Sequence, residues 1–157
     1  CHFALPSSDG YLFVISLPFI RTMDLTKLEI SLIMLEDMLR VDEGYFKRFV
    51  MKDKKVKSKL GTNFYKKKLD QNLFRNTLKK YDTFVFEKGF SFQEMFDTTK
   101  KMEMLLKADM RLWGSYHQVL TKVDNLVKTN TLYKRYLKIY PSPEIQLQWI
   151  RPKKELL

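Results

Sequence analysis

The stretch DLTKLEISLIMLEDMLRVDEG, residues 24–44, decides the fold. Leu25, Leu28, Leu32, Leu35 and Leu39 recur at alternating steps of three and four, which places them on one stripe of an α-helix. Thr26 and Glu29 have the spacing of a capping box, in which each side chain satisfies a backbone amide left without a partner at the helix start. Ile30, Ile33, Met34, Met38 and Val41 widen the apolar arc well beyond one stripe. Such a helix is central in a bundle, or it leaves part of its apolar face exposed. It is expected to run over residues 24–51, with Gly44 kinking or ending it.

The same periodicity continues downstream. A second helix is expected over residues 58–87, with Leu69 and Leu73 as one pair and Phe74, Leu78, Tyr81 and Val85 at steps of four, three and four; Gly89 closes it. Ser91 and Glu94 form another capping box, opening a helix through Met95, Thr99, Met102 and Leu106. A fourth helix, separate or continuous with the third, carries Trp113, Tyr116, Leu120, Val123 and Val127. A short helix over residues 131–139 follows, stopped by Pro141. In residues 141–157 Ile145, Leu147 and Trp149 alternate, the pattern of an extended segment laid over the bundle. The apolar run YLFVISLPFI, residues 11–20, is about half the length that spans a bilayer; it is expected to pack on the bundle, with apolar insertion into a membrane surface as the alternative.

With 45% hydrophobic and 30% charged residues the composition is globular, and only 5 Gly and 5 Pro argue against a turn-rich sandwich or barrel. The expected fold is therefore all-α: an up-and-down bundle of about five helices with an extended C-terminal tail. One domain spans residues 1–157, divided into an extended apolar segment (1–23), the bundle (24–140) and the tail (141–157).

The formal net charge is +11 over 157 residues, and it is unevenly placed. Residues 1–44 hold three basic and seven acidic side chains, whereas the rest of the chain holds 26 and 11. Such an asymmetry steers a protein toward polyanions: anionic lipid, acidic glycans or nucleic acid. The densest segment is KRFVMKDKKVKSKLGTNFYKKK, residues 47–68, with ten basic residues and one acid. Lys47, Arg48, Lys52, Lys54, Lys55, Lys57, Lys59, Lys66, Lys67 and Lys68 are the candidate membrane- or polyanion-binding residues. Phe46, Phe49 and Phe64 lie beside or among them and are the candidates for apolar insertion, because aromatic side chains enter the headgroup layer once lysines have brought them there. The alternative is a solvated basic face whose aromatics belong to the core.

Residue types for catalysis are sparse. His2 and His117 are the only imidazoles, and His117 has Ser115 nearby but no nucleophile elbow or placed carboxylate. The five glycines stand alone, so no phosphate loop is formed. Asp82, Glu87, Asp97 and Glu103 are explained by helical charge patterning. A single cysteine, Cys1, allows no internal disulfide and no cysteine-based zinc site. The expectation is a non-enzymatic protein without a metal, cofactor or small-molecule substrate. The run from apolar to small polar residues in CHFALPSSDG, residues 1–10, reads either as the end of a secretory signal or as an ordinary terminus.

Taken in order, these pieces resemble the abalone sperm acrosomal proteins, the family of sperm lysin and its fusagenic acrosomal paralogue. A long helix begins soon after Pro18 and Phe19 and reaches an Asp-x-Gly corner, Asp42 and Gly44, followed by Lys47. A basic helix with Phe and Tyr comes next. Leu132, Arg135, Tyr136, Leu137 and Tyr140 are similar to the family's last helix, and Glu144-Ile145 with Arg151-Pro152 to its closing segment. The resemblance covers about residues 18–155. The preference for Lys over Arg, and the 12 Phe and 8 Met, resemble the fusagenic paralogue more than lysin. The resemblance implies a lysin-like helical bundle, secreted into the sperm acrosomal vesicle, that binds and perturbs the egg plasma membrane during fertilization. Within the family the alternative is stoichiometric dissolution of the vitelline envelope through its glycoprotein. From other classes, a helical cytokine-like ligand and a nucleic-acid-binding module stay open, as does a homodimer.

Overall fold

A computed structural model describes residues 2–7, 10–45, 72, 75, 76, 79, 89–140 and 142–150. The chain is an all-α helical bundle with a small two-stranded hairpin at its N-terminal end. In chain order the described elements are β1 (His2–Ser7), β2 (Gly10–Ile15), α1 (Leu17–Thr22), α2 (Lys27–Asp42), α3 (Phe92–Leu106), α4 (Met110–Thr129), a 3-10 turn (Thr131–Tyr133), α5 (Tyr136–Ile139) and α6 (Pro143–Trp149). Asn72, Arg75, Asn76 and Lys79 are helical and exposed. The rest of the helix expected over 58–87, and every residue of the lysine–aromatic segment from Phe46 to Lys68, lie outside the described residues.

α2 is the central helix. It packs against β1, α3 and α4, and none of its residues from Leu32 to Val41 is exposed. Both halves of its capping box form: Thr26 Oγ1 accepts from the Glu29 amide at 3.2 Å, and Glu29 Oε2 accepts from the Thr26 amide at 2.7 Å. The helix ends at Asp42, well short of residue 51. Gly44 follows in the left-handed region at φ +74°, its amide bonded to the Val41 carbonyl and that of Tyr45 to the Arg40 carbonyl. This is a Schellman ending, which favours a residue without a Cβ.

The third and fourth expected helices are separate. The Ser91–Glu94 box opens α3, and Met95, Thr99, Met102 and Leu106 are all buried, as their spacing implies. Residues 107–109 break the helix, and Asp109 restarts it by accepting from the amides of Arg111 and Leu112 at 2.9 and 3.1 Å. On α4, Tyr116, Leu120, Val123 and Val127 are buried and Trp113 is half-buried.

Both ends of the chain differ from expectation. The extended N-terminal segment is a hairpin, antiparallel from His2 opposite Ile15 to Ser7 opposite Gly10, followed by a helix rather than more extended chain. Pro18 stands in the first turn of that helix, where a missing amide costs nothing. The helix expected over 131–139 is split into the 3-10 turn and α5. The tail is not extended over residues 143–149: it forms α6, which packs on α3 and α4. Its buried positions Pro143, Gln146 and Ile150 are three and four residues apart, so helical spacing prevails over the alternation of Ile145, Leu147 and Trp149.

The apolar core has two parts. One joins the hairpin, α1, α5 and the C-terminal half of α4 around Phe19, Ile33, Val123, Val127, Tyr136 and Tyr140. The other gathers Leu32, Met102, Leu106, Tyr116, Leu120 and Ile150.

Candidate binding surface and the buried polar network

Against the first of the two cores lies a network of charged groups with no counterpart among the sequence-derived candidates. The buried face of α2 carries Glu29, Glu36, Asp37 and Arg40 beside Leu32, Ile33 and Val41. Arg40 is 2% exposed. Its Nη1 donates to Asp37 Oδ1 and its Nη2 to Glu36 Oε1, each at 2.7 Å, and Nη2 also reaches Met95 Sδ at 3.6 Å. The guanidinium lies over the rings of Tyr140 at 4.8 Å and Phe90 at 5.2 Å. Burial alone would lower its pKa, but Glu36 and then Asp37 outweigh that and raise it, so Arg40 is a permanent cation. Gln146 of α6 closes the far side, donating to Glu36 Oε1 and Thr99 Oγ1 at 3.1 Å each.

His2 extends this network into the hairpin. Its Nδ1 is 2.7 Å from Asp37 Oδ2 and its Nε2 is 2.9 Å from the Tyr136 hydroxyl. The Asp37 carboxylate is an acceptor, which places the proton on Nδ1. The ring stacks on Tyr140, whose hydroxyl donates to the His2 carbonyl. Burial raises the pKa of the Tyr136 hydroxyl and keeps it neutral. With His2, Asp37 and Tyr136 all buried, this arrangement ties the first strand to α2 and α5.

The other histidine is an ordinary helix-surface group. His117 is half-buried, donates from Nδ1 to the Trp113 carbonyl at 2.9 Å and meets the Trp113 ring edge-to-face. Asp97 accepts from the neutral amide of Gln93 at 2.8 Å, and Glu103 forms a helical charge pair with Lys100 at 2.8 Å. Asp82 and Glu87 lie outside the described residues. Among the described residues no group of three or more His, Cys, Asp or Glu could hold a metal ion, and no helix is long and apolar enough to cross a membrane. An open groove of about 320 Å³ beside Met23 and Asn125 contains Lys122, whose Nζ is already bonded to Glu29 at 2.8 Å.

All thirteen residues proposed from sequence for docking and insertion, from Phe46 to Lys68, fall outside the described residues, so their positions are not assigned. The described surface supplies other candidates of the same character. Met104, Leu105, Met110, Leu132 and Leu137 are exposed, as are the neighbouring cations Lys107, Arg111, Lys134, Arg135 and Lys138. Residues 130–140 (NTLYKRYLKIY) hold three cations, two exposed leucines and no acid. Sequence periodicity could not show Met104, Leu105, Met110 and Leu137 to be exposed, because they share helices with true core positions.

No family model, no curated protein and no solved structure matches the chain.

Proposed function

We propose that this chain is a secreted, non-enzymatic, basic amphipathic protein of the sperm acrosome that binds the egg plasma membrane and perturbs it during gamete fusion. The observation that carries the membrane part of this reading is where the acids go. Glu29, Glu36 and Asp37 are three of the seven acids in residues 1–44, and all three are buried, with Arg40 as the one buried Lys or Arg among the described residues. Among the described residues, which hold 14 cations and 12 acids, setting those four aside raises the formal balance from +2 to +4. The described surface is therefore more cationic than its composition implies, and it carries exposed Met and Leu as well as those cations. Charge brings such a protein to anionic headgroups, and apolar side chains then enter the interface. The fertilization setting rests on the resemblance to the abalone sperm acrosomal proteins.

The test is lipid mixing and leakage with vesicles of phosphatidylcholine and phosphatidylserine, with isolated egg envelopes assayed in parallel. Activity on the anionic vesicles, and its loss when Lys54, Lys55, Lys57 and Lys59 are reversed to Glu, supports the reading. Dissolution of envelopes by a protein inert toward vesicles overturns it in favour of glycoprotein binding.

A further inference from the structure

The corner where α3 meets α4, residues 104–111, brings three of the exposed apolar side chains into one short stretch of chain. Met104 is 73% exposed, Leu105 57% and Met110 80%. These three are surplus to the core, because Leu106 is buried and Leu112 and Trp113 pack against it in the cluster with Met102, Tyr116 and Ile150. The corner is thus packed on the core through Leu106, Leu112 and Trp113, while Leu105 and the flexible thioethers of Met104 and Met110 stay exposed on either side of a turn.

Its charges complete the pattern. Lys107 and Arg111 are exposed. Among the described residues the ion pairs engage Arg40, Lys100, Lys101, Lys122 and Lys128, and none joins Lys107 or Arg111 to a carboxylate. Asp109 is the one acid from Met104 to Arg111, and its Oδ1 is engaged by the first amides of α4. The corner therefore presents exposed apolar side chains and exposed cations within one short stretch of chain. The charge is complementary to an anionic lipid layer, where cations stay at headgroup level and apolar tips lie below.

We infer that the α3–α4 corner, with Met104, Leu105 and Met110 flanked by Lys107 and Arg111, is an insertion tip for the interfacial layer of an anionic bilayer. This rests on the membrane reading above and adds to it a site remote in sequence from the lysine–aromatic segment.

The experiment uses the full chain with Cys1→Ser, labelled through Met110→Cys with an environment-sensitive fluorophore, and a control labelled through Gln118→Cys on the exposed side of α4. With phosphatidylcholine–phosphatidylserine vesicles the label at 110 shifts to the blue and is quenched by lipids brominated near the headgroup; the label at 118 does neither. Met104→Ser, Leu105→Ser and Met110→Ser together abolish leakage while adsorption persists. Lys107→Gln with Arg111→Gln weakens adsorption at low salt by about thirty-fold, as expected for two cations near an anionic surface. The labelled chain reports insertion even if the triple variant does not fold. If the wild type does not bind vesicles, the membrane reading and this inference both fall. Binding with an unshifted label at 110 and an undiminished triple variant overturns the corner alone. A shift seen only with egg-coat protein overturns the inference in favour of a protein partner.

Discussion

Arg40 is held by two carboxylates of its own helix and by the faces of Phe90 and Tyr140, in a space closed to water. Removing it would leave Glu36 and Asp37 buried without their shared cation. Arg40→Met is therefore expected to cost about 3–5 kcal/mol in chemical denaturation. Adding Glu36→Gln and Asp37→Asn removes the uncompensated charges, and most of that loss should return. A single variant as stable as wild type would mean that the network contributes nothing to the fold. Glu29 offers a pH-dependent counterpart. Burial works to raise its pKa, but the Lys122 bond and the Thr26 amide outweigh this and hold it below the ordinary 4.5. A depressed carboxylate stabilises the fold above its unfolded pKa, and that stabilisation is lost as pH falls through the folded value. Wild type should thus exceed Glu29→Gln in stability at pH 7, by a margin that narrows below about pH 4.5. A margin unchanged with pH would contradict the assignment. Gly89 is constrained twice: it sits at φ +58°, and a Cβ there would lie 2.1 Å from the Lys138 carbonyl oxygen. Gly89→Ala should cost roughly 2 kcal/mol or more. Asn tolerates the dihedral but not the clash, so Gly89→Asn should fare no better; rescue by Asn would show that the dihedral alone matters.

At the level of elements, the two capping boxes were readable from sequence because each is complete within four residues. Thr26→Ala and Ser91→Ala should each cost about 1 kcal/mol, lowering the melting temperature by about 2–4 °C in a chain of this size. An additive double variant is expected, since the two caps open different helices. The buried positions of α3 and α4 were equally legible from spacing. Elements that depend on distant partners were not. The hairpin needs β1 and β2 to find their register, and His2 acquires its role only through Asp37, 35 residues away, and Tyr136, 134 residues away. The tail misled because Gln146, a buried position of α6, is polar and so does not count in an apolar pattern; its partners Glu36 and Thr99 are contributed by other helices. One sign of the α2 network was present in sequence: Glu36, Asp37 and Arg40 interrupt an otherwise apolar run at the i, i+3 and i, i+4 spacings that pair charges on a helix.

At the scale of the whole molecule the formal charge is +11, and this sets the last prediction. A polyanion of any kind will attract it, so adsorption at low salt does not distinguish a membrane from a nucleic acid. What differs is the state after contact. Exposed charges lose most of their reach as salt rises, because the screening length shrinks from about 8 Å at physiological ionic strength to about 3 Å at 1 M. Apolar area moved out of water is not screened, and each fully buried Leu or Met is worth about 1.5–3 kcal/mol. If Met104, Leu105 and Met110, or the aromatics of residues 46–64, enter the interface, the complex with anionic vesicles should form quickly at low salt. It should then resist elution when salt is raised to 1 M. The same protein bound to polynucleotide should be released completely by that step, since nothing apolar has been buried there. Adding the protein to vesicles already at high salt should give slow, weak binding, because steering is lost although insertion would still be favourable. Co-sedimentation with the two orders of salt addition measures this directly. Complete elution from vesicles in both orders would leave charge as the only interaction and remove the reason to assign a membrane-perturbing role to the exposed apolar side chains.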